Sequence, residues 1–121
     1  MTMASTDITL EDLLDQMPMP IQYVDKHGFL RYLNKAAAAR PANAERKVGV
    51  NIRDCHARPE SLERIERLFA DFERGRKEPH FYITSTGDKS MKIPIFNAEG
   101  EFMGVLAYSH PLGLPDTDRT F

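Results

Sequence analysis

The chain has 121 residues, 41% of them hydrophobic and 28% charged, with a net charge of −2. This length suits one domain with one core, and the proportions argue against disorder, collagen-like repeats and a strongly basic nucleic-acid-binding surface. Apolar runs fall short of the ~20 residues that span a bilayer, residues 1–10 lack a signal-peptide pattern, and the single cysteine, Cys55, closes no internal disulfide, so a cytoplasmic protein with no membrane or nucleic-acid partner is expected.

Residues 1–7 are small and polar and are expected to be a flexible N-terminus. Ile8, Leu10, Leu13, Leu14 and Met17 then recur at helical spacing, with Glu11, Asp12 and Asp15 opposite them and Asp7 or Thr9 placed to cap the first turn. A short amphipathic helix follows, ended by Pro18 and Pro20. Residues 21–25 and 29–33 read as two strands around the turn Lys26-His27-Gly28. The alanines at 36–39, after Asn34, predict a short helix closed by Pro41 and Asn43, and residues 48–52 form a connector into Arg53-Asp54-Cys55-His56.

From Pro59 the periodicity is stronger. Leu62, Ile65, Leu68, Phe69 and Phe72 share one face of a helix over 59–74, with a solvated charged face opposite and Gly75 at the expected C-terminal cap. After Pro79 the period becomes that of strands, predicting 80–85, 90–96 and 101–109 as a three-stranded meander. The tail after Pro111 has no periodicity.

Several segments resemble the PAS domain. The stretch from Ile21 to Ala37, with Asp25 and Gly28 at its turn and Asn34 starting a helix, resembles the family's opening hairpin. Val48-Gly49 resembles its "(I/V)-G" step, and the run from Phe96 to Leu106 resembles its closing hairpin, with Gly104 where the last strand passes close to its neighbours. The resemblance covers roughly Leu10 to Pro111. It implies an α+β PAS fold: a five-stranded antiparallel sheet, helices on one face and an N-terminal amphipathic helix. The domains follow as 1–7 flexible, 8–112 a single PAS domain and 113–121 a tail. A narrower similarity, through Val48-Gly49, Cys55-His56, Pro59, Ser61 and the helix exit Gly75-Arg76-Lys77, is to PAS domains found beside hemerythrin-type cation-binding domains. Ala57 and Arg58 stand where that pattern has prolines.

The PAS resemblance implies a pocket between central helix and sheet. Its expected lining is Tyr23, Tyr32, Cys55, His56, Leu62, Ile65, Leu68, Phe69, Phe81, Ile83, Ile93, Ile95, Leu106 and Tyr108, with Tyr23, Tyr32, His56, Tyr108 and Ser109 as polar anchors. Cys55-His56 pairs a thiol with an imidazole, both suited to metal or heme iron, but no second Cys or His cluster completes a zinc set. Heme-binding PAS domains hold the iron with a histidine on the central helix, and residues 59–74 contain none, so His56 is the one heme candidate. No match to Asn-Cys-Arg-Phe-Leu supports a photoactive flavin. With no nucleophile elbow, phosphate loop or His-Glu-x-x-His, an enzyme is not expected.

Three readings follow. The first is a sensory domain that binds a small ligand and signals through protein contacts to an effector in trans. In the second, the chain is a ligand-free module that homodimerises through Ile8, Leu10, Leu13, Leu14 and Met17. The third is a heme-based redox or gas sensor using His56.

Overall fold

The computed structural model describes residues 7–44, 46–56, 58–84 and 87–111. Most of the expected flexible N-terminus and the whole 113–121 tail lie outside the described residues. The elements run α1 (Leu10–Asp15), β1 (Ile21–Asp25), β2 (Leu30–Leu33), α2 (Lys35–Ala38), 3-10 turns at Pro41–Asn43 and Ile52–Cys55, α3 (Pro59–Glu73), β3 (His80–Ile83), β4 (Asp88–Phe96) and β5 (Phe102–Pro111). They form one five-stranded antiparallel sheet in the order β2-β1-β5-β4-β3, so β1 and the last strand lie side by side at its centre. This is the α+β architecture that the resemblance implied.

Local chemistry explains the hairpin. The Asp25 carboxylate accepts from the amides of His27 (2.9 Å) and Phe29 (3.0 Å) and pairs with Arg31 at 2.7 Å, closing the turn. Gly28 has φ +94°, and a side chain there would collide with Arg53 and Asn51. Phe29, expected in the second strand, instead bridges to Asn51, and β2 begins at Leu30 beyond a register shift.

α3 begins on Pro59, whose missing amide costs nothing at a first-turn position, and Gly75 with φ +110° follows its cap. Its buried Phe69 and Phe72 pack with Val24, Leu30, Ile52, Phe102 and Val105. Phe69 meets Phe102 edge-on with centroids 6.0 Å apart, and Phe72 lies 6.1 Å from the same ring. Each buried phenylalanine contributes about 2–3 kcal/mol of transfer free energy, so these rings clamp α3 to the sheet. Pro94 stands opposite Val105 of β5 but beyond the end of the β3 pairing at His80 with Lys92, so its missing amide interrupts no bond to β3.

Candidate functional site

Strand register decides which side chains α3 covers. Val24 lies opposite Val105, and Val105 opposite Pro94, so these three mark the helix-facing side together with the core residues around them. Alternation then places Gln22, Ala107, Lys92 and His80 in the next row on that side, and Ser109, Ser90 and Tyr82 in the row beyond. The helix-facing side is therefore apolar beneath α3 and polar farther along the strands.

Two cationic side chains, Lys92 and Arg46, converge on the polar half. Lys92 Nζ donates to Ser90 Oγ at 2.7 Å and stands 5.3 Å from the Tyr82 ring centroid. Arg46 Nη1 donates to Gln22 Oε1 at 3.2 Å. Burial pushes the Lys92 ammonium down to about 8, with the Arg46 charge adding to the effect. His56 is also held below its ordinary value, by burial first and then by Arg46 and Lys92, and His80 is lowered by burial, Arg76 and Lys92. Arg46 Nε and Ser109 Oγ are buried and find no hydrogen-bond partner among the described residues.

The connector supplies Arg46 and His56, and it is pinned at several points. The Arg46 amide donates to Asn43 O, the Gly49 amide to Leu30 O and the Ile52 amide to Gly28 O. Asn51 caps the Ile52–Cys55 turn by accepting from the Arg53 amide at 3.1 Å. Arg53 ties this turn to the hairpin through His27 O at 2.8 Å and to α3 through Glu66. His56 thus leaves a fixed turn in extended geometry.

The expected pocket lining divides between the two sides. Leu62, Ile65, Leu68 and Phe69 lie on α3, where Ile65, Leu68 and Phe69 join the core, and Cys55 and His56 are half-buried on the connector. Ser109 faces the helix side. Tyr23, Tyr32, Phe81, Ile83, Ile93, Ile95, Leu106 and Tyr108 alternate onto the opposite side of the sheet, so the expectation that they share a space with α3 is corrected. Phe81 and Ile83 are exposed. Both alternating sets contain apolar residues, and the more hydrophobic set proved to be the outer one. The helix-facing groups missed were Arg46, Gln22, Ser90 and Lys92, and for the three strand residues a polar side chain in phase with Val24 and Val105 was the available signal.

A groove of about 290 Å³ opens at the end of the polar half, walled by Met19, Pro20, Ala36, Arg40, Asp88 and Ser109 among others. Arg40 and Asp88 pair across it at 3.2 Å. Beside it, α1 is tethered by two side chains. The buried Asn34 accepts from the amides of Ile21 and Ala37 and donates to the carbonyls of Leu14 and Met19, all within 3.0 Å. Asp15 accepts from Tyr32 Oη at 3.0 Å, and the phenol is raised to about 12 by burial and this bond. No residue of α1 is buried. Leu10 is 75% exposed, Leu13 49% and Ile8 48%, while Leu14 and Met17 are half-buried.

His56 does not fit a heme site. Its neighbours are Arg46 and Lys92, and the apolar space on this side of the sheet is filled by Phe69, Phe72 and Phe102. Cys55 Sγ donates a weak hydrogen bond to the Asn51 carbonyl at 3.9 Å.

Residues 10–109 match the profile of a family described as PAS domain. No curated protein matches the chain. Among solved structures, the chain is similar to a C-terminal domain from Streptococcus mutans, at 21% identity and TM-score 0.67 over 93% of this chain and 91% of that one. It is also similar to the PAS domain of Bordetella pertussis BvgS, at 21% identity and TM-score 0.62 over 84% and 82% of the two chains. A sensory box sensor histidine kinase from Vibrio cholerae gives 18% identity and TM-score 0.61 over 88% and 90%. At these identities the likeness is one of fold.

Proposed function

Since the chain belongs to the PAS domain family, whose members are non-catalytic sensory modules, we propose that it binds a small ligand between the connector, α3 and the sheet and signals through contacts with another protein. The observation that carries this reading is the unfinished polar half of the helix-facing side. A core filled by protein alone would leave Arg46 Nε and Ser109 Oγ desolvated without partners, at about 1–3 kcal/mol for each such group. A ligand that bonds to them removes that penalty. Because Asn34 joins β1, α1 and α2, a ligand that favours one packing of the central strands biases how α1 is held, and the signal is a population shift. Native mass spectrometry of the purified protein tests the reading. A copurifying small molecule supports it, and a chain of apo mass that stays apo after incubation with a metabolite extract refutes it.

The exposed apolar side chains of α1 favour a second reading, homodimerisation through Ile8, Leu10, Leu13, Leu14 and Met17. Leu13→Glu would then convert a dimer to a monomer in sizing chromatography, and an unchanged elution volume removes this interface. The narrower likeness to PAS domains found beside hemerythrin-type domains concerns the same connector that carries Cys55 and His56, and the identity of neighbouring genes tests it. No described helix is long and apolar enough to cross a membrane.

A further inference from the structure

Among the described residues, the polar half carries positive charge with no counter-charge in contact. Lys92 bonds only to a hydroxyl and Arg46 only to an amide oxygen, and neither takes part in an ion pair among the described residues. Among the described residues, the elements around them supply no nearby free acid. Asp88, on the same side of β4, is paired with Arg40 at the rim. On α3, Glu63 is paired with Arg67 and Glu66 with Arg53, and all these side chains except Arg53 are exposed. The connector adds His56 facing the cations, while Lys47 and Asp54 are exposed, and β3 adds His80. β1 contributes only the Gln22 amide, and Lys35 of α2 is exposed.

Partly buried cations without a partner are costly, and an anion is the group that offsets the cost. Arg46 still presents an unused, buried Nε on a planar guanidinium, which suits a flat two-oxygen acceptor. Ser109 Oγ is a second unused donor on this side, and Ser109 also lines the groove. The groove that Ser109 shares is walled by the apolar Met19, Pro20 and Ala36, so the site is two-ended. A bare inorganic anion would leave that wall unused.

We infer that the site takes a small organic carboxylate, its anionic group held by Arg46, Lys92 and the hydroxyls of Ser90 and Ser109 and its apolar body laid toward the groove wall of Met19, Pro20 and Ala36. This rests on the ligand-binding reading above and names the chemistry of its ligand. Carboxylate binding returns a proton to Lys92, so affinity weakens as pH rises above about 8, the value to which burial lowers the free ammonium. His56 and His80, both lowered, stay neutral through that range and do not share in the effect.

The test is calorimetric titration of the full chain in Tris chloride with butyrate, succinate, benzoate and inorganic phosphate, beside Arg46→Gln and Lys92→Met. The expected result is saturable binding of at least one carboxylate, weakened about tenfold or more in each variant that still melts cooperatively. Should a variant fail to fold, the wild-type pH profile decides, because a carboxylate affinity that does not fall between about pH 7 and 9 overturns the assignment. Unchanged carboxylate affinity in both folded variants overturns it, as does phosphate binding more tightly than every carboxylate. Native mass spectrometry separates the two readings. A copurified neutral compound whose binding survives both substitutions leaves sensing intact and removes the carboxylate, whereas a chain that binds none of the four probes and stays apo after incubation with a metabolite extract removes both.

Discussion

Lys92→Met should stabilise the ligand-free protein. The ammonium titrates at 10.5 in an unfolded chain and at about 8 here, a drop of roughly two and a half pH units, equivalent to about 3 kcal/mol of strain on the charged form at neutral pH. Methionine fills a similar volume without charge and forfeits the bond to Ser90 Oγ and the contact with the Tyr82 ring, which together offset about 1–2 kcal/mol. A net gain of about 1–2 kcal/mol follows, raising Tm by about 4–8 °C for a domain of this size. Urea unfolding followed by circular dichroism measures it. The sign is checked by pH. The unfolded lysine keeps its proton to near 10.5 while the folded one releases it near 8, so over that interval the unfolded state binds more protons and wild-type stability rises with pH. The variant should lack this rise. The comparison belongs below about pH 9.5, because Tyr23 and Tyr32, both raised, favour the protonated folded state and make stability fall again above 10. A variant less stable than wild type by more than about 1 kcal/mol, with the pH slope retained, would refute the idea that Lys92 is a strained cation.

Asn34→Ala should cost about 2–4 kcal/mol by removing four hydrogen bonds from a fully buried residue, and hydrogen exchange should show the amides of α1 losing protection in step. Gly104→Ala should cost about 1–3 kcal/mol, because a Cβ there overlaps the Val24 carbonyl and the Tyr23 phenol, and the urea midpoint reports it. Asp15→Asn should bring the Tyr32 phenol down from about 12 toward its ordinary value, read by ultraviolet titration, since one cause of its elevation is the hydrogen bond to Asp15. The remaining elevation measures burial and the Glu11 charge.

The candidate site was only partly legible in the sequence. His56, Cys55 and Ser109 could be named because a cysteine-histidine pair and a strand-end serine are conspicuous, and Phe69 because its spacing on α3 is helical. Arg46 could not, since nothing local marks an arginine in a connector as turned inward, and only its contact with Gln22, 24 positions earlier, reveals it. Lys92 sits between Met91 and Ile93 in a strand whose neighbours advertise the opposite side as the core. Choosing the more hydrophobic alternating set placed Tyr23, Ile93, Ile95, Leu106 and Tyr108 toward α3, and the register places them away.

By itself the sequence determined the order and type of the elements, because helix and strand periods, proline stops and the turn residues Asp25, Gly28 and Gly75 act over a few neighbouring positions. It also determined that the central helix holds no histidine. Tertiary structure alone decided which side of the sheet α3 covers. A strand's period of two separates its side chains into two sets but does not say which set meets the helix, and that choice is made by long-range pairing of β1 with β5 and by Phe69 and Phe72 closing over Val24, Val105 and Phe102. The same choice turned Lys92, Ser90 and Ser109 inward, and with them the chemistry of the site.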